Sequence, residues 1–133
     1  MTRFVISPDV AMRLARDRAE IPEQHQLVAP TLLRSQLVSL LYQAVQRGEV
    51  TKTDAGEQLD YVRALRMRLL GDRVLQNVAW RVAEQLGWAD TFDAEYIALT
   101  RLQADALITL DKRLARAARR LVTVEPIEHL LRA

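Results

Sequence analysis

The chain has 133 residues, 50% of them hydrophobic and 27% charged, which is the size and make-up of one globular domain spanning residues 1–133 with a core of its own. It has no cysteine, so disulfides, thiolate zinc sites and a Cys nucleophile are excluded. No apolar run approaches the ~20 residues needed to span a bilayer. The opening MTRFVISPDVAMRL is broken by Pro8, Asp9 and Arg13 before a signal-peptide core can form, so the expectation is a cytoplasmic protein with no membrane partner. Net charge is only +2, yet the cations are 17 arginines against 2 lysines. Two readings stay open: coding bias, or recognition of phosphates and carboxylates by the planar guanidinium fork.

In chain order, Arg3–Ser7 (RFVIS) reads as a short strand stopped by Pro8. Val10 and Leu14, with Met12 and Ala15, then suit a short helix facing the sheet, which places Asp9 at a strand-to-helix junction. Asp17–Gln26 is polar and reads as a loop or frayed turn. Gln26–Ala29 is a brief extended approach to Pro30, which suits a first helical turn. Thr31–Arg47 follows as a helix with the stripe Leu32, Leu33, Leu37, Leu40, Leu41 and Ala44. Gln36 falls inside that stripe, and both a buried Gln satisfied by backbone and a side chain serving a solvated site fit its position.

Gly48 closes that helix, and Thr51 with Asp54 has capping-box spacing for the next. Its stripe is Ala55, Leu59, Val62 and Leu69, and its end is basic, with Arg63, Arg66 and Arg68, then Arg73 past Gly71. Val74–Leu86 is a further helix stopped by Gly87. Trp80 and Trp88 read as core or partner-surface residues, because nothing spaces them as a stacking pair. A helix then opens near Asp90–Asp93 and is expected to bury Phe92, Tyr96, Leu99 and Leu102. Strand Ala106–Leu110, a basic helix Lys112–Arg120, a β-branched run Leu121–Val124 and a small helix Pro126–Leu131 complete the chain. This alternation predicts an α/β fold with a mostly parallel central sheet.

Asp9, Asp93 and Asp111 each fall at the start of a helix, and Asp9 and Asp111 directly follow strands. Each has a plain explanation as an N-terminal cap. Jointly they point elsewhere: in a parallel sheet Asp9 and Asp111 converge at the carboxyl edge, where ligands bind. Asp93 approaches from the neighbouring helix. Clustered carboxylates stay ionised together only with a cation among them. Oxygen donors without nearby His or Cys suit Mg²⁺ or Mn²⁺, whose chemistry fits phosphodiester hydrolysis. No phosphate-cradling glycine loop and no G-x-S-x-G elbow occurs. His25 and His129 read as solvated. An aspartyl-phosphate enzyme on Asp9 lacks the second Asp in Asp9-Val10-Ala11.

The stretch FDAEYIALTRLQADALITLDKRLARAA resembles the second half of PIN-domain proteins, in particular VapC-type toxins of bacterial toxin–antitoxin pairs. There a D-A-x-Y-x-A-L-A helix precedes a strand ending in T-x-D-x-x-L. Asp93, Ala94, Tyr96, Ala98 and Leu99 match the first motif, and Thr109, Asp111 and Leu114 the second. VISPDVAMRLA resembles the family's first strand with its metal-binding Asp, here Asp9. The resemblance implies a three-layer PIN-like fold and a Mg²⁺- or Mn²⁺-dependent endoribonuclease held by Asp9, Asp93 and Asp111, with Thr109 orienting a carboxylate. It also implies an RNA substrate, a VapB-like antitoxin whose apolar helix blocks the acidic site, and a toxin homodimer. Two departures stand out. The family's APxLLxxE segment is APTLLRSQ here, placing Gln36 where a Glu helps bind metal, so that Gln36 could act only through a water. A small hydroxyl residue two positions after the first Asp is Ala11. Two outcomes follow: an active site with three Asp residues, or a degenerate domain that mainly binds RNA or an antitoxin. Lys112, Arg113 and Arg116, with Arg120 at helical spacing, are candidates for substrate phosphates; a solvated helix face is the alternative.

Overall fold

Phe4, Val5 and Ile6 are consecutive and all buried, as are Ala106, Leu107 and Ile108. Unbroken burial of this kind marks strands covered on both faces, as in the middle of a parallel sheet. The computed structural model describes residues 1–133 and builds that sheet from β1 (Thr2–Ile6), β2 (His25–Pro30), β3 (Met67–Leu70) and β4 (Ala106–Ile108). The strand order is β3-β2-β1-β4, and all three pairings are parallel. In register, Phe4 faces Leu27 across β1–β2 and Ala106 across β1–β4.

The helices are α1 (Pro8–Asp17), α2 (Leu32–Gln46), α3 (Lys52–Ala64), α4 (Arg73–Leu86), α5 (Phe92–Gln103), α6 (Lys112–Ala118) and α7 (Ile127–Leu131). Helices α1, α2 and α3 pack on one another, while α4 pairs with α5, and α5 lies against β1, β2 and β4. Tyr96, Ile97, Ala98 and Leu99 of α5 are fully buried there. The result is the α/β architecture expected, a parallel sheet flanked by helices, and it is consistent with three layers. No helix is long and apolar enough to cross a membrane.

The order of the strands positions the site. The chain runs outward from β1 to β2 to β3, then returns to lay β4 on the other side of β1. Connections therefore leave β1 and β4 in opposite directions, which opens a crevice between their carboxyl ends. Ser7 and Asp9 follow β1, and Thr109 and Asp111 follow β4, so all four fall at this switch point.

Several local expectations need correction. The basic end of the third predicted helix is not helical: α3 stops at Ala64, and Met67–Leu70 is the edge strand β3, carrying Arg68 and Leu69. Its carboxyl end is held close to α2, where a Cβ on Gly71 would meet Thr31 Oγ1 at 2.5 Å and where the Thr31 N–H donates to the Leu70 carbonyl. Pro30 ends β2 rather than opening a helix. β4 stops at Ile108, two residues earlier than expected, and Ser7 is the N-cap of α1 rather than a strand residue. The run Leu121–Val124 forms only a single bridge from Val124 to Leu107. Phe92 and Leu102 face solvent, at the two ends of α5 where the neighbouring elements no longer cover it. His25 lies within β2, its ring edge-on to Phe4 at 5.2 Å and its Nε2 on the Arg132 carbonyl, so it is not simply solvated. His129 likewise has a partner, Glu125. The cap and stop residues behave as read: Thr51 accepts from the Asp54 N–H, and Gly87 ends α4 in the left-handed conformation that glycine adopts without a Cβ penalty.

Candidate metal centre

The three aspartates divide once their hydrogen bonds are traced. Only Asp111 caps: its Oδ1 accepts from the Arg113 N–H (2.8 Å) and the Leu114 N–H (3.1 Å), which fixes the start of α6. Asp9 and Asp93 lie in the first turns of α1 and α5, whose N-cap positions are Ser7 and Thr91 with no side-chain cap bond. Capping therefore does not account for Asp9 or Asp93. The positive end of each helix dipole does favour a carboxylate in these first turns.

Asp9 is held by a chain of hydrogen bonds that ties the two strand ends together. The Ser7 hydroxyl donates to Asp9 Oδ1, and the Leu110 N–H approaches the same oxygen at 3.4 Å. Ser7 Oγ and Thr109 Oγ1 are 3.0 Å apart. Ser7 has one hydroxyl proton and the carboxylate is the stronger acceptor, so Thr109 supplies the proton between the two hydroxyls. Thr109 Oγ1 accepts in turn from the Asp111 N–H at 3.2 Å. The relay Asp111 N–H to Thr109 to Ser7 to Asp9 thus runs across the switch point, and each link polarises the next. Ser7 is 2% exposed, and its only side-chain partners are members of this relay.

Sequence reasoning missed Ser7 as a site residue. The available signal was a hydroxyl side chain directly after the apolar run Phe4-Val5-Ile6 and directly before Pro-Asp. Thr109, expected to orient a carboxylate, acts on Asp9 through Ser7. The position expected to carry a hydroxyl, Ala11, is buried and apolar. The hydroxyl that reaches Asp9 comes from two residues before it instead of two after.

Asp93 feels the other acids. Partial burial pushes its carboxyl above the usual range, and the negative charges of Asp111 and Asp90 push it the same way; Arg113 opposes them and Asp9 adds a smaller push. The same field reaches Tyr96. Burial raises its phenol far above the ordinary value, and Glu95, Asp93 and Asp9 add to that. A phenol held neutral remains a donor, and the Tyr96 O–H donates to Gln36 Oε1 at 2.6 Å. Gln36 is half-buried, and it is satisfied by a side chain of α5 rather than by the backbone. Gln36 therefore borders the acidic crevice through Tyr96.

The donors are right in kind for Mg²⁺ or Mn²⁺: oxygen ligands only, beside a carboxyl raised by burial and then by like charges that a cation would offset. They are not drawn together into a cage, since no group of three or more His, Cys, Asp or Glu side chains stands close enough to hold a metal. Asp9 and Asp111 each commit only Oδ1 to hydrogen bonds within the chain, leaving Oδ2 of each for a ligand. Lys112, Arg113 and Arg116 flank the crevice on α6, all exposed. None of them takes part in the six salt bridges of the chain.

Fold and crevice together define an α/β protein with an acidic, hydroxyl-braced edge at the switch point of a parallel sheet. Superposed as a whole, the chain is similar to PAE2754 from Pyrobaculum aerophilum, with a TM-score of 0.75 over 98% of this chain and 93% of that one, at 20% sequence identity. At that identity the likeness establishes a shared fold and nothing finer. No protein-family model and no curated relative matches the sequence.

Proposed function

We propose that the chain is a Mg²⁺- or Mn²⁺-dependent endoribonuclease whose acidic edge is formed by Asp9, Asp93 and Asp111. The observation that carries this reading is a placement: Asp9 and Asp111 follow the adjacent strands β1 and β4 at the switch point of a parallel sheet, where ligands bind, and each leaves Oδ2 without a partner in the chain. The Asp93 carboxyl nearby is raised by burial and then by Asp111 and Asp90, against Arg113. Asp9, Asp93 and Asp111 would hold the cation through their carboxylates, with Gln36 contributing at most through a water. The cation supplies Lewis-acid activation of a phosphoryl oxygen and of water. Ser7 and Thr109 hold the Asp9 carboxylate in place, and the Tyr96 O–H holds the Gln36 amide. Lys112, Arg113 and Arg116, none of them in a salt bridge, offer phosphate contacts. The resemblance to VapC-type PIN domains supports RNA as the substrate. It also supplies the wider reading of a toxin that forms a homodimer and is neutralised by a VapB-like antitoxin.

A second reading has its own support. Gln36 stands where the resemblance expects a Glu, and the three carboxylates are not gathered into a cage. On that reading the domain binds RNA or an antitoxin and cuts nothing. One assay separates the two. Purified protein with Mn²⁺ or Mg²⁺ cleaves a structured RNA, and Asp9→Asn or Asp93→Asn abolishes cleavage while leaving RNA binding in place. Binding without metal-dependent cleavage would establish the second reading.

A further inference from the structure

Beside the acidic crevice lies a cavity of about 430 Å³ lined by Trp88, Arg113, Arg116, Ala117 and Arg120. We propose that it is a base-and-phosphate subsite for single-stranded RNA, in which one base stacks on the Trp88 indole and the flanking phosphates lie on Arg113, Arg116 and Arg120. The inference rests on RNA being the ligand of the reading above, but not on the metal.

Its first support is the composition of the lining: three guanidiniums, one indole, one alanine and no acid. Five arginines elsewhere are paired with acids, Arg13 and Arg16 on Asp17, Arg18 on Glu57, Arg47 on Glu49 and Arg63 on Asp60; Arg113, Arg116 and Arg120 are in no salt bridge, like the other nine, but they alone of these converge with an indole on one cavity. A larger cavity by α1 and α3 mixes Arg16 and Arg18 with Glu20, Asp54, Glu57 and Asp60. Three guanidiniums around one space with no acid in its lining suit an anion with several oxygens. Arg113, Arg116 and Arg120 follow one another at helical spacing, so the short helix α6 and its C-terminal turn present them along one line.

The second support is the mounting of Trp88. It follows Gly87, and its N–H donates to the Ala83 carbonyl at 2.9 Å while the Gly87 N–H donates to Glu84. This closes α4 in a Schellman-type stop that fixes the backbone of the residue. The indole packs partly on the core and keeps the rest of its surface in the cavity. A rigid aromatic face amid arginines is what a nucleobase between two phosphates needs, and it tolerates any base. An inorganic anion or an acidic peptide would have no use for the indole.

The third support is continuity with the acidic edge. Arg113 lines the cavity and is also the cation that acts on the Asp93 carboxyl. Arg116 lines both this cavity and the neighbouring one that contains Thr109 and Asp111. A strand of RNA seated on Trp88 is thereby led along α6 to the carboxylates.

The test measures binding without chemistry. Trp80→Phe leaves Trp88 as the sole tryptophan reporter, and a 12-nucleotide oligouridylate is titrated in EDTA. Binding should quench Trp88 fluorescence. Trp88→Ala should weaken affinity about tenfold and Trp88→Phe only slightly. Arg116→Ala with Arg120→Ala should flatten the salt dependence by about 0.7 per arginine removed. RNA binding with no quench, with Trp88→Phe as weak as Trp88→Ala, or displaced equally by polyglutamate would overturn the subsite. Quenching without metal-dependent cleavage of RNA by the native protein would leave the subsite standing and remove the nuclease reading. Cleavage abolished by Asp9→Asn yet indifferent to Trp88 would do the reverse.

Discussion

The two ends of the central sheet use their acids in opposite ways. At the amino edge, Asp105 accepts from the Arg3 N–H at 2.8 Å, its own N–H returns a bond to the Arg3 carbonyl, and the Arg3 side chain reaches Gln26. There a carboxylate completes the main chain of two adjacent strands beside a guanidinium. At the carboxyl edge, Asp9 accepts from the Ser7 hydroxyl, Asp111 caps a helix with one oxygen, and Asp93 is raised by burial and then by its acidic neighbours. One edge commits its carboxylate to the chain's own hydrogen bonds, and the other gathers a surplus of carboxylates that Arg113 offsets only in part. Like charges brought together cost stability, and a bound cation would offset that cost.

That contrast can be broken most sharply by removing the surplus. Asp9→Asn or Asp93→Asn should eliminate metal-dependent RNA cleavage, measured as rate against protein concentration. Next in size is Ser7→Ala, which interrupts the relay between Asp9 and Thr109. It should lower cleavage about 10- to 100-fold, in the manner of groups that orient a ligand, and lower stability by about 1 to 2 kcal/mol. Thr109→Val should move both in the same direction by less, because Ser7 still reaches Asp9. Gln36→Glu should tighten Mn²⁺ binding several-fold in a calorimetric titration, since the added charge faces the same edge and keeps the acceptor for Tyr96. No change would place Gln36 outside the metal's reach. The smallest effect belongs to the amino edge: Asp105→Ala should cost about 1 kcal/mol in denaturant unfolding and leave cleavage unaltered.

The same surplus has a pH signature. In metal-free protein the Asp93 carboxyl titrates above its unfolded value of 3.8, so between the two values the folded state binds more protons than the unfolded one. Stability from this group therefore falls as pH rises through that window, opposite to the usual salt-bridged Asp. Asp93→Asn should raise the unfolding temperature at neutral pH, and the gain should vanish below the unfolded value.

Much of this was legible in the sequence because it rests on local patterns. Buried apolar runs gave β1 and β4, helical stripes gave α2 and α4, and the position of each Asp after a strand or before a helix gave its place on the sheet. β3 was hidden because its four residues, Met-Arg-Leu-Leu, lie at a half-exposed sheet edge and do not alternate, and Arg66 and Arg68 continue the basic pattern of the preceding helix. The relay was hidden for a different reason. Ser7 and Thr109 are 102 positions apart and meet only because β4 returns beside β1, which nothing local to either residue encodes. Trp88 carries no local signal because the arginines beside it come from α6, some 25 positions further along the chain.

Thermal unfolding in EDTA and in saturating Mn²⁺, run on the native protein and on Asp93→Asn, is the most direct test of the acidic edge. A cation held there should raise the native unfolding temperature by on the order of 5 °C and move Asp93→Asn far less. An equal shift in both proteins, or none in either, would contradict a metal centre at Asp9, Asp93 and Asp111.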